Sequence, residues 1–178
     1  MCVHTDCATK EEAQLYFQEL ASQGESIRIL LTGQVGQGKS KLVNSLIGKT
    51  LAKESAGPCS VTQNIESFTE NIDGVNVTVI DTPGFNDPSK TDGDVIGEMS
   101  KESDKIDLVL FCVRMDRRMQ KADYRIMRKL TRTFGKSIWH NVLFVLTFAN
   151  TVNAETFAKT HAEWSRLLHK NDKFIFKR

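Results

Sequence analysis

The chain has 178 residues, 40% hydrophobic and 26% charged, and its 24 Lys and Arg against 22 Asp and Glu leave a net charge of +2. That is the size of one α/β domain able to bury its own core, and so balanced a charge argues against nucleic acid or a charged lipid surface as the main partner. The longest apolar runs, such as NVLFVLTFA, fall short of the ~20 residues that span a bilayer, and no charged-then-apolar leader opens the chain.

In chain order, Ala13, Tyr16, Phe17 and Leu20 recur at helical spacing within Lys10–Ser22, a short amphipathic helix whose partner surface the sequence leaves open. Ser26–Leu31 is a β-rich apolar run leading into a glycine-rich turn. Lys39–Ile47 follows as a helix, with Leu42, Val43, Leu46 and Ile47 on one side and Gly48 suited to its end. Residues 49–60 are polar and broken by Gly57-Pro58. Strands are expected near Thr62–Asn71 and Val75–Ile80, joined by the hairpin signal Asp73-Gly74. A helix over Gly93–Lys105, a strand over Leu108–Val113 and a charged segment to Gln120 come next. A helix over Ala122–Phe134, a strand over Val142–Phe148 and a helix over Ala154–Leu168 complete the pattern. Alternating strands and helices predict a mostly parallel sheet with one antiparallel hairpin and helices on both faces. Ligands on such sheets bind beyond the carboxyl ends of the strands.

Of the four cysteines, Cys2 and Cys7 flank His4 without a fourth metal ligand and read as an ordinary terminus. Cys112 reads as a small core residue, and neither it nor Cys59 is needed for a disulfide in a domain of this size.

The chemistry gathers at the strand ends. Gly33-Gln34-Val35-Gly36-Gln37-Gly38-Lys39-Ser40 matches G-x-x-x-x-G-K-[ST], between a predicted strand and a predicted helix. Glycines let backbone N–H groups wrap phosphate oxygens, and the helix start adds its positive dipole end. Lys39 is expected to reach the β and γ phosphates and Ser40 to ligate Mg²⁺, with the nucleotide-contacting stretch taken through Lys41. Asp81-Thr82-Pro83-Gly84 follows the next buried strand, so Asp81 is expected at the Mg²⁺ and Gly84 at the γ-phosphate. Thr62 is the candidate for the threonine that meets both, and Ser60 is its rival.

Together with SVT, DTPGFNDP and the stretch from Arg114 to Asn150, these motifs resemble the avirulence-induced-gene family of GTPases. That family includes the immunity-associated GTPases and the GTPase receptors of the chloroplast outer-envelope import machinery. The resemblance covers about Ile27 to Trp164 and implies a Ras-like G domain, with GTP or GDP and Mg²⁺ as ligands. It places Thr147-Phe148-Ala149-Asn150 at the base-recognition position, where such domains carry N-K-x-D. Phe148 then lies over the guanine plane. Asn150 replaces an aspartate that accepts two hydrogen bonds, and an amide keeps at most part of that pair. Guanine is expected to be less sharply preferred over adenine.

Relatives also pair their nucleotide faces into homodimers, and Arg117 or Arg118 is the candidate to reach the partner's phosphates. The position that orients the attacking water in Ras-like enzymes holds Phe85, which cannot bond water; Gln34 and Gln37 are the substitutes at hand. Unassisted turnover is expected on the order of 10⁻⁴–10⁻² per second. The organisation expected is an N-terminal helix and tail over 1–24, a G domain over 25–170 that lacks its last strand and helix, and a stub over 171–178. That leaves Val142–Phe148 as an exposed apolar edge. The chain is expected in the cytosol, or at the cytosolic face of a membrane through sequence beyond it. The competing readings are a nucleotide-binding scaffold with negligible turnover and a P-loop ATPase or kinase.

Overall fold

Apolar side chains alternate along the strands, and that alternation builds two cores. A computed structural model describes residues 10–52, 62, 64–102 and 106–170. In β4 (Leu108–Arg114), Val109, Phe111 and Val113 enter one cluster while Leu110 enters the other. In β1 (Ser26–Thr32), Leu30 and Leu31 part in the same way. A strand apolar on both sides must be covered on both sides. Helix α2 (Lys39–Ile47) closes one face with Val43 and Ile47, beside the last turn of α1 (Lys10–Ser22). Helices α3 (Asp92–Glu102) and α4 (Lys121–Phe134) close the other with Val95, Met99, Ile126, Met127 and Leu130.

The sheet runs β2-β3-β1-β4-β5, with β2 (Glu66–Ile72), β3 (Val75–Asp81) and β5 (Val142–Thr147) as the remaining strands. Among the described residues only the β2–β3 pair is antiparallel, and β1 pairs in parallel with β3 and β4 as β4 does with β5. The expected α/β architecture is therefore present, and β1, β3, β4 and β5 all end on the same side of the sheet. Among the described residues β5 stands at an edge and leaves Leu143 54% exposed. No helix among them is long and apolar enough to cross a membrane. Helix α5 (Ala154–Lys170) closes the described chain.

Several boundaries differ from expectation. The strand read from Thr62 begins at Glu66, because Thr62 is drawn out of the ladder into side-chain hydrogen bonds at the β3 end. The strand read to Phe148 ends at Thr147, where Phe148 turns left-handed at φ 58°. Helix α3 ends at Glu102, ahead of the expected Lys105. Helix α4 opens one residue early on a reciprocal cap: Gln120 accepts from the Asp123 backbone and Asp123 Oδ2 takes the Gln120 N–H at 2.8 Å. The 3₁₀ turn Lys136–Asn141 was not expected; it buries Trp139, which stacks on Phe144 and donates Nε1–H to Thr131 Oγ1 at 2.9 Å. Helix α1, left without a partner by the sequence, sets Leu20 and Ala21 against the core. Cys2, His4, Cys7, Cys59, Ser60 and the 171–178 stub lie outside the described residues.

Candidate functional site

The glycine-rich turn leaves β1 at Gly33 and enters α2 through Gly38, whose φ of 77° is one that side chains rarely adopt. At Gly33 space adds to conformation, because a Cβ there would stand 2.6 Å from the Cys112 carbonyl oxygen on β4. The turn is fastened to the loop after β3. Val35 N–H donates to the Phe85 carbonyl and Phe85 N–H to the Gly33 carbonyl, both at 3.1 Å. A Cβ on Gly84 would lie 2.6 Å from Val35 N. Two glycine loops from parallel strands thus lie against each other at the carboxyl ends, the place the sequence indicated for both.

Four of the expected site side chains meet there. Lys39 is buried and donates Nζ–H to the Gln34 carbonyl at 3.2 Å. Burial lowers its pKa against the pull of nearby Asp81 and Asp87. Asp81 is fully buried, with Ser40 Oγ donating to its Oδ2 at 2.8 Å and Thr62 Oγ1 at 3.0 Å. Ser40 and Thr62 hydroxyls are 3.3 Å apart. Burial raises the Asp81 pKa, opposed by the Ser40 hydrogen bond and by Lys39. Its second oxygen, Oδ1, is buried with no hydrogen-bond partner. An orphaned carboxylate oxygen is costly, and two hydroxyls converging beside it complete a hard-oxygen donor set of the kind Mg²⁺ takes. Among the described residues no three His, Cys, Asp or Glu side chains come together as a metal cage. Mg²⁺ at phosphates ordinarily uses one or two carboxylates with water and phosphate oxygens.

The other expected residues are placed less centrally. Lys41 and Gly36 are exposed, and Val35 is half-buried. Phe85 is fully buried in the core, consistent with its inability to handle water. Gln34 is committed elsewhere, its Nε2 donating to Asp123 Oδ1 and its Oε1 accepting from Asn86 Nδ2 at 3.2 Å. Gln37 is buried with Oε1 unpartnered. Arg118 is exposed, whereas Arg117 is half-buried with Nη2 out of solvent and unpartnered.

At the β5 end, Thr147 Oγ1 donates to the Val113 carbonyl at 3.0 Å and Thr147 accepts the Met115 N–H at 2.9 Å. This holds Phe148 beside Gly38, a Cβ on which would lie 3.5 Å from Phe148 Cε2. Asn150 is exposed in the 3₁₀ turn Ala149–Thr151 that follows. Sequence reasoning missed Arg114, whose guanidinium lies 3.9 Å from the centre of the Phe148 ring. It also missed Asn44, whose Oδ1 accepts from Leu51 N–H and Ala52 N–H at 2.9 and 2.8 Å and fixes the exit from α2. No spacing signal reveals either.

Comparisons with known proteins bear out the fold. The AIG1 family model matches residues 27–172. The Translocase of chloroplast 34 homolog of Chlamydomonas reinhardtii is 32% identical over 149 residues, covering 75% of this chain and 38% of the relative. The chain thus spans well under half of that relative's length. The crystal structure of Toc33 from Arabidopsis thaliana in complex with GDP and Mg²⁺ is similar at TM-score 0.68 and 27% identity, covering 85% of this chain and 66% of that one. A further solved structure, "Dimerization is important for the GTPase activity of chloroplast translocon components atToc33 and psToc159", gives TM-score 0.72 at 27% identity, covering 85% of this chain and 65% of the other.

Proposed function

The chain belongs to the AIG1 family, and from that premise we propose that it binds GTP and GDP with Mg²⁺ on residues 33–41 and hydrolyses GTP slowly as a switch. The observation that carries this is the meeting of Ser40 and Thr62 on one oxygen of the buried Asp81 carboxylate, with the Lys39 charge nearby and the second oxygen of Asp81 unpartnered. Residues 25–170 form the G domain, with Lys10–Ser22 as an accessory helix. Backbone N–H groups of the glycine turn and the α2 N-terminus take the phosphates. Lys39 neutralises β and γ oxygens, and its buried position keeps that charge undiluted by water. Ser40 and Thr62 offer hydroxyl oxygens to the cation and Asp81 orients them. Mg²⁺, when bound, offsets charge developing between the phosphates. Gly84, pressed on Val35, offers its backbone N–H to the γ-phosphate and responds to its loss. Phe148 lies over the guanine, and Asn150 keeps part of the hydrogen bonding to its edge.

Among the described residues, neither Phe85 nor Gln34 takes the place of the water-orienting glutamine. Phe85 is sealed in the core and Gln34 is bonded to Asp123 and Asn86. Slow unassisted turnover follows. The similarity to structures in which dimerization matters for GTPase activity supports a homodimer through the nucleotide face, with Arg118 reaching the partner's phosphates. The burial of Phe85 and the bonding of Gln34 favour a second reading, a nucleotide-binding scaffold with negligible turnover. GTP hydrolysis measured across a hundredfold range of protein concentration separates them. Specific activity that climbs with concentration supports the switch, and none at any concentration supports the scaffold.

A further inference from the structure

We propose that Arg114, held by Asp116, is a positioning residue for base recognition, fixing the Phe148 ring as the platform on which the purine stacks. This rests on the base-site reading above and adds to it the element that holds the platform. Arg114 ends β4 opposite Thr147, so its side chain rises beside the residue that follows β5. Asp116 accepts from Arg114 Nε at 2.9 Å and from Nη2 at 2.6 Å, a two-point clasp that fixes the plane of the guanidinium. That plane covers one face of Phe148 at 3.9 Å.

The ring needs such holding. A bulky residue at φ 58° is in a conformation that persists only when its surroundings determine it. Thr147 anchors the backbone below, Gly38 lies beside the ring edge, and Arg114 occupies one side. The purine is assigned to the other face. Aromatic stacking tolerates every base, so Arg114 acts on affinity, while Asn150 carries what discrimination there is.

The test uses the whole chain and competition against a fluorescent GDP analogue by GDP, ADP and pyrophosphate. Variants are Arg114→Ala, Arg114→Lys, Asp116→Asn, Phe148→Ala and the Arg114→Ala/Phe148→Ala pair. Arg114→Ala is expected to weaken GDP and ADP by the same factor, roughly 3–10-fold, and to leave pyrophosphate unchanged. Asp116→Asn weakens both less, and Arg114→Lys recovers only part because the ammonium lacks the flat fork. In the Phe148→Ala background the Arg114 change has no further effect. An unchanged GDP affinity in Arg114→Ala overturns the proposal, as does equal loss of pyrophosphate or full additivity with Phe148→Ala. A parent chain that binds no GDP would instead sink the nucleotide-site reading itself.

Discussion

Gly84 presses on Val35 so closely that a Cβ on the glycine would stand 2.6 Å from both Val35 N and Val35 Cγ2. Backbone cannot yield as a flexible side chain does, so the two loops have to part to admit even a methyl group. Gly84→Ala is expected to break the pair of hydrogen bonds joining residues 33, 35 and 85, costing about 1–3 kcal/mol as overpacking does. A thermal melt lower by roughly 2–4 °C per kcal/mol and a loss of GTP-over-GDP response check this. An unchanged melting temperature would contradict it.

Asp81 is expected to destabilise the protein while no cation is present. Its folded pKa is raised, first by burial. As pH rises from the ordinary carboxylate value through the raised one, the folded state holds more protons than the unfolded chain, so stability falls across that window. Above it the penalty is complete. Asp81→Asn therefore melts higher than the parent at pH 7 without nucleotide, by roughly 2–4 °C for each kcal/mol relieved, and the gain fades towards pH 4. With Mg-GDP the order reverses, because only the parent gains from the ligand. Equal melting temperatures at pH 7 without ligand would contradict the account.

Cys112 is fully buried under the glycine turn, and burial pushes its thiol up to about 12. Little thiolate forms at pH 8, and alkylation proceeds through thiolate. Iodoacetamide is expected to leave the Cys112 peptide unmodified in the folded chain and to label it fully in denaturant, as read by mass spectrometry. Rapid labelling in the folded state would mean that the β4 end opens.

Arg118 is exposed and Arg117 is partly sequestered, so the two differ in what they can offer a second copy. Arg118→Ala is expected to change stability by under about 0.5 kcal/mol while abolishing any rise of specific GTPase activity with concentration. Arg117→Ala keeps that rise. The reverse pattern would move the role to Arg117.

The two loops that meet at the strand ends were legible in the sequence because each piece is local. A glycine turn between apolar strand and amphipathic helix, and an acidic residue at the tip of another apolar run, are visible in spacing alone. Asp73-Gly74 marked the hairpin for the same reason, with Asp73 and Gly74 both at positive φ. What stayed hidden joins residues far apart in sequence. Gln34 looked free to aid catalysis, yet its partners lie 89 and 52 positions away. Arg114 read as the start of a charged segment until β4 and β5 brought it over Phe148. Thr62 was legible as a site candidate, but the strand is expected to start there because β propensity cannot see the competing carboxylate acceptor at Asp81.

A guanine-nucleotide site on residues 33–41 is put to the test by titrating the chain into a fluorescent GTP analogue with Mg²⁺, then competing with GTP, GDP and ATP. Binding is expected to saturate, to be lost in Asp81→Asn, and to be displaced readily by GTP and GDP and only at higher concentration by ATP. Absence of binding in a folded sample, or displacement by ATP as efficient as by GTP, would contradict it.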